Sequence, residues 1–201
     1  MKKFLFVLVG LVVVVGLWSM STYNGLVDGQ EKVTARWSEV ENMYKRRFDL
    51  IPQLVETVKG AADYEKTTLQ EVVDARASVG RVQLPEGLPT DPEALQAYMS
   101  AQQGLGGALG RLFAVSEAYP TLRASESFLT LQSQIEGSEN RIAVARGDFI
   151  DAVRVYNSAR RKFPGFLFVN MGWGDFEEAA VLPAEEGTHD APAIDFGGEG
   201  N

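Results

Sequence analysis

The sequence predicts an all-α protein: an elongated antiparallel helical bundle with an N-terminal transmembrane helix and a disordered acidic C-terminal tail. Three observations predict it. Phe4 to Trp18 is an unbroken run of residues without a charged or amide side chain, preceded by Lys2 and Lys3. Two long stretches then place apolar residues three or four apart, the period of one face of a helix. Strand-like alternation is negligible before residue 165.

The apolar run belongs in a bilayer, because so much exposed hydrocarbon in water exceeds what a soluble surface tolerates. At 17 residues, Phe4 to Met20 sits at the short end of the roughly 17 to 25 needed to cross as a helix. Two lysines before it, against Asp28, Glu31 and one Lys32 after it, favour a cytoplasmic N-terminus and an extracytoplasmic remainder. A cleaved signal peptide is the rival reading, with Ser19 and Ser21 as the small residues of a cleavage site. The apolar core is longer than such peptides use, and Trp18 and Met20 crowd that site, so a retained single-pass anchor over residues 1–22 is expected. With no cysteine, the exported part uses no disulfide.

Beyond the anchor, Val33, Trp37, Val40, Tyr44, Phe48, Ile51, Val55 and Val58 form one stripe, close to a coiled-coil seam. Pro52 is expected to kink that helix or restart it. The pattern resumes through Leu69, Val72 and Val73 and stops at Gly80. Pro85, Pro89 and Pro92, with Gly87, mark a loop, and Asp91 before Pro92 reads as an N-cap with proline in the first turn, so a second helix starts near Glu93. Gly104, Gly106, Gly107 and Gly110 weaken this helix by about 1 kcal/mol each, or mark close packing. It runs through Leu112, Phe113 and Val115 to Tyr119 and ends at Pro120.

A third long pattern takes in Phe128, Leu131, Ile135, Ile142, Phe149, Val153 and Tyr156. Arg160, Arg161 and Lys162 close it, complementing the helix dipole. Rods of about 40 residues are about 60 Å long and persist only when packed lengthwise, hence the antiparallel bundle over residues 23–165. Residues 166–201 combine an aromatic segment with a flexible tail. The net charge of −8 lies entirely in the tail from Gly174, which holds eight carboxylates and no lysine or arginine. That composition reads as largely disordered. The isolated Pro192 to Phe196 is expected as a short extended piece docking on the body.

The segment from Trp37 to Gly60 (WSEVENMYKRRFDLIPQLVETVKG), with Tyr23 to Val27 before it, resembles the signature of the LemA family of bacterial membrane proteins. The likeness continues in Glu117 to Pro120, in Leu131 to Arg146, in Tyr156–Asn157 and in Phe163–Pro164, and it covers roughly residues 20 to 173. It implies a single N-terminal membrane helix carrying an all-helical extracytoplasmic bundle, without an established enzymatic activity. Some members are implicated in membrane-linked processes, including magnetosome formation. The glycine-rich segment and the acidic tail are less typical of the family.

Two polar sets stand out. Glu41, Asn42, Arg46, Arg47 and Asp49 lie on the first stripe, and Glu136, Glu139, Asn140, Arg141 and Arg146 on the third helix. Antiparallel packing would bring carboxylates of one to arginines of the other, forming an interhelical polar network that fixes register. Exposed arginines recognising a partner or a lipid headgroup are the functional alternative. Phe163 to Trp173 is too short to span a membrane. It either folds over the end of the bundle or dips Phe166, Phe168 and Trp173 into the membrane interface, and an even helix count is needed for the latter.

His189 is the sole histidine. No His/Cys cluster with metal-ligand spacing exists, which disfavours zinc and histidine-based nucleophilic mechanisms. Gly104 to Gly110 lacks the Lys-Ser/Thr of a phosphate loop. No cofactor, metal, catalytic residue or small-molecule substrate is indicated, and no basic footprint for nucleic acid. The expected function is a non-enzymatic, membrane-anchored scaffold or adaptor of the cell envelope, whose partners are the bilayer and either copies of itself or other envelope proteins. The alternative is membrane remodelling or lipid-surface binding.

Overall fold

A computed structural model describes residues 2–60, 66–82 and 87–182. Six helices follow in order: α1 (Lys2–Lys59), α2 (Lys66–Arg81), α3 (Pro92–Ser116), α4 (Pro120–Arg123), α5 (Glu126–Arg161) and α6 (Gly165–Met171), with no strand among the described residues. His189 and the segment Pro192 to Phe196 lie outside them.

The first helix differs from expectation in two respects: it ends at Lys59 instead of carrying on toward Gly80, so that Lys66–Arg81 is a separate helix and the one at Pro92 is the third, and it is not broken at Pro52. Pro52 neither ends nor restarts it, and α1 runs through 58 residues, about 87 Å. Pro52 is exposed. On that face water can hydrate the carbonyl that loses its donor, while Ile51, Leu54 and Val55 hold the buried face in place. The N-terminal part of the rod is bare, with Phe4 to Leu17 exposed throughout, and from Leu26 onward it is the spine of a bundle core. It is the one helix among the described residues long and apolar enough to cross a membrane.

The stripes read from sequence are the buried faces. Val33, Trp37, Val40, Tyr44, Ile51, Val55 and Val58 of α1 are buried, as are Phe128, Leu131, Ile135, Ile142, Phe149, Val153 and Tyr156 of α5. Those two helices lie antiparallel, since Arg36 reaches Asp148 and Arg47 reaches Glu139, the α5 number falling as the α1 number rises. Helix α3 runs alongside α1 in the same sense, Tyr44 touching Met99 and Arg47 touching Gln102. Helix α2 runs the other way, with Glu71 against Arg111 and Arg76 over the Phe48 ring. The result is an up-down-up-down four-helix bundle, and the even count returns the end of α5 to the anchor.

Capping explains the boundaries. Asp91 accepts hydrogen bonds from the backbone N–H groups of Glu93 and Ala94 at 2.9 and 3.1 Å, and Pro92 opens α3. Helix α3 ends at Ser116, three residues short of the expected Tyr119, and Pro120 opens α4. Ser125 accepts from the N–H of Phe128 at the start of α5. Gly172 ends α6 in the left-handed conformation at φ 68°, which a side chain would strain.

The chain beyond α6 departs from the expected loose tail. Residues 174–182 are laid along the bundle, where Asn157 donates to the carbonyl of Ala179 at 2.8 Å and accepts from its N–H at 3.1 Å. Arg160 Nε donates to the carbonyl of Phe176 at 2.8 Å, and the Ala180 N–H donates to the carbonyl of Pro89 at 2.7 Å. Ala179, Ala180 and Leu182 are buried beside Val33, Trp37 and Leu95. Backbone hydrogen bonds and small apolar side chains seat this strap, while Asp175, Glu177 and Glu178 point outward.

Candidate functional site

Two places in the fold bring functional groups together: a polar layer inside the bundle, and the end of the bundle next to the anchor. The polar layer separates two apolar clusters, one around Trp37, Tyr44, Leu95, Phe149 and Tyr156, the other around Ile51, Leu54, Leu105, Leu109, Phe128 and Ile135. Arg47 lies between them, 2% exposed. Its Nη1 donates to Glu139 of α5, and its Nη2 donates to the backbone carbonyl and side-chain oxygen of Gln102 of α3 at 3.0 and 2.6 Å. Three helices are thus joined by one guanidinium, which also lies 5.2 Å from the centre of the Tyr44 ring. Such a layer adds little net stability but penalises any other register, because a slipped helix would leave the cation unpaired in the core.

An aromatic ladder continues from this layer toward the anchor. Tyr44 meets Tyr98 edge-on at 5.7 Å, Tyr98 meets Trp37 at 6.1 Å, and Trp37 meets Phe149 at 5.2 Å. Burial pushes the Tyr98 phenol up to about 12, against the opposing pull of its hydrogen bond with Gln102 and of the Arg47 charge. A cleft of about 310 Å³ opens beside the ladder, lined by Glu41, Lys45, Phe48, Val79, Tyr98 and Gln102 among others.

Of the ten residues expected to form the polar network, Arg47 and Glu139 are joined across α1 and α5. Glu41 and Asn42 line the cleft. Asp49 lies 3.5 Å from Lys45 on its own helix, and Glu136 accepts from Gln132 at 2.9 Å. Arg46, Asn140 and Arg141 are exposed, and Arg146 is half-buried. Sequence reasoning missed Gln102, whose helix lacks a clean apolar stripe, and it missed the second crossing pair, Arg36 with Asp148 at 3.3 Å.

At the anchor end, Trp18 lies 5.4 Å from Phe163, and Phe163 lies 6.2 Å from Phe166. Helix α6 starts at Gly165, packed so tightly that a Cβ would run into the carbonyl of Ala159. The three residues expected at a membrane interface separate here. Phe166 and Trp173 are exposed, but Phe168 is buried against Leu26 and Phe176, so it belongs to the core at the base of the bundle and offers nothing to lipid. Helical geometry accounts for the split, since residues 166 and 168 of one helix are about 200° apart.

The model of the LemA family matches residues 36–196. Among curated proteins, the chain is 29% identical to the magnetosome protein MamQ of Magnetospirillum gryphiswaldense, the match covering 81% of this chain and 66% of that protein. It is also 29% identical to magnetosome proteins MamQ 1 and MamQ 2 of Paramagnetospirillum magneticum, over 71% of this chain and 58% of each of them. The match therefore spans less than two thirds of each relative's length. Neither the family description nor these names point to catalysis. With its exposed apolar helix at one end, this is a membrane-associated protein, and the family match across most of its length establishes that the chain belongs to the LemA family.

Proposed function

We propose that the protein is a non-enzymatic scaffold of the bacterial cell envelope, anchored by α1 with its N-terminus in the cytoplasm and its bundle outside, and that it associates with copies of itself or with other membrane proteins. The continuity of α1 carries this reading: one helix passes from the apolar run into the bundle core without a joint. A rigid connection holds the bundle at a fixed height and attitude above the bilayer, as presenting a surface to neighbours requires. Along α5, Leu129, Val144, Ile150 and Val155 are 40 to 62% exposed, which gives a partner apolar surface to meet. Val144 and Val155, three turns apart, share a face. Lys2 and Lys3 support the orientation.

Crosslinking in intact membranes tests it, using single cysteines placed at Val144 and Val155 of this naturally cysteine-free chain. Adducts with a second copy or with a membrane protein are expected at both positions, and monomer alone at both would contradict the scaffold reading. Protease accessibility from the outer side tests the orientation, with protection of the bundle as the contrary result.

A further inference from the structure

We propose that the base of the bundle is itself a membrane-binding surface, whose partner is the lipid leaflet that α1 enters, and that it completes a span at the short limit of crossing length. The inference rests on the anchoring of α1 but not on the scaffold reading.

The first observation is a length deficit. Seventeen residues of helix rise about 25 Å, against about 30 Å of hydrocarbon. A span that falls short draws its flanking residues into the leaflet or thins the bilayer around it. The second is what the fold places at that flank. Trp18, which ends the unbroken apolar run, is in ring contact with Phe163, and Phe163 with Phe166. These side chains are 44, 66 and 39% exposed, an unusual degree for aromatic rings clustered on a folded domain. Trp173, 57% exposed, adds a further ring beside Phe168, which also meets Tyr23, one to two turns above Trp18.

Sinking the bundle by about 5 Å, the shortfall of the span, would therefore bring aromatic rings into the leaflet at the point of entry. Tryptophan and phenylalanine with a polar rim suit the region between acyl chains and headgroups. Arg161 and Lys162 supply that rim, both exposed in the sequence immediately before Phe163. Asp175, Glu177 and Glu178 sit nearby on the strap, so the base carries no net excess of positive charge, and burial of the rings, not attraction to anionic lipid, is the driving term. The fold supports the seat from behind: buried Phe168 packs on Leu26 and Phe176, which ties α6 to α1 and to the strap.

Full-length protein in phosphatidylcholine vesicles provides the test, because the chain has no cysteine to remove before labelling. Nitroxides are placed singly at Phe166→Cys and Trp173→Cys, with Val14→Cys inside the span and Asp49→Cys high on the bundle as references, and helicity is checked for each. Accessibility to oxygen and to a water-soluble nickel chelate is then read. The expected result is that labels at 166 and 173 fall between those at 14 and 49, with oxygen favoured over the nickel chelate several-fold more than at 49. Labels at 166 and 173 that match the one at 49, while the one at 14 stays in lipid, overturn the seat and leave the anchor standing. Labels hidden from both reagents indicate a protein partner at the base and also overturn it. A label at 14 exposed to nickel removes the anchor and the seat together.

Discussion

Arg47 is buried because three helices each give it something to hold, and the consequences of removing it differ from those of removing its carboxylate. Arg47→Ala leaves the Gln102 side-chain oxygen and carbonyl without their donor and opens a void, at a cost of about 2–5 kcal/mol. Glu139 is 46% exposed in its side chain, so Glu139→Gln, which still accepts a hydrogen bond, costs about 1 kcal/mol or less. Denaturant unfolding of the full chain in micelles, followed by circular dichroism, measures both. Tyr98 contributes a pH dependence of definite sign. Its phenol is held above the ordinary value of about 10, so unfolded chains release that proton first. Stability intact below pH 10 is lost as the pH climbs toward 12, and Tyr98→Phe should flatten that decline in an alkaline unfolding series.

Helices and the strap set a second group of expectations. Within α3, a Cβ at Gly104 or Gly110 would meet nothing within 4 Å, so these glycines are not there for close packing, and only Gly106 faces Arg47, at 3.5 Å. Gly104→Ala and Gly110→Ala should each stabilise by about 0.5–1 kcal/mol, read as a higher unfolding midpoint. Asn157→Ala removes both bonds to Ala179, so amide exchange across residues 176–182 should accelerate while that of α1 is unchanged. How much of this was legible in the sequence follows from which atoms do the holding. The seams of α1 and α5 were readable because side-chain burial repeats at the helical period. The strap was not, since its grip is on backbone atoms and its outward carboxylates mimic a solvated tail. Arg47 was visible as one polar residue among ten, but its partner Gln102 sits on a helix whose glycines blur the pattern. Phe166 and Phe168 could not be separated until α6 was docked on Leu26.

At the scale of the whole molecule, one unbroken helix joins the exposed apolar run to the far end of the bundle, and α2, α3 and α5 brace its outer part. Pro52 does not divide it, and Arg47 meets Glu139 across α1 and α5. Everything proposed for presentation of the bundle at the membrane depends on that rod being continuous where it leaves the lipid. The direct measurement is a pulsed electron–electron distance between nitroxides at Val14→Cys, in the span, and Asp49→Cys, in the bundle, with the full chain in vesicles at low occupancy. An uninterrupted helix places the two backbones about 52 Å apart with a narrow distribution. A broad distribution, or a separation well short of that, would mean a joint between anchor and bundle and would contradict the rod.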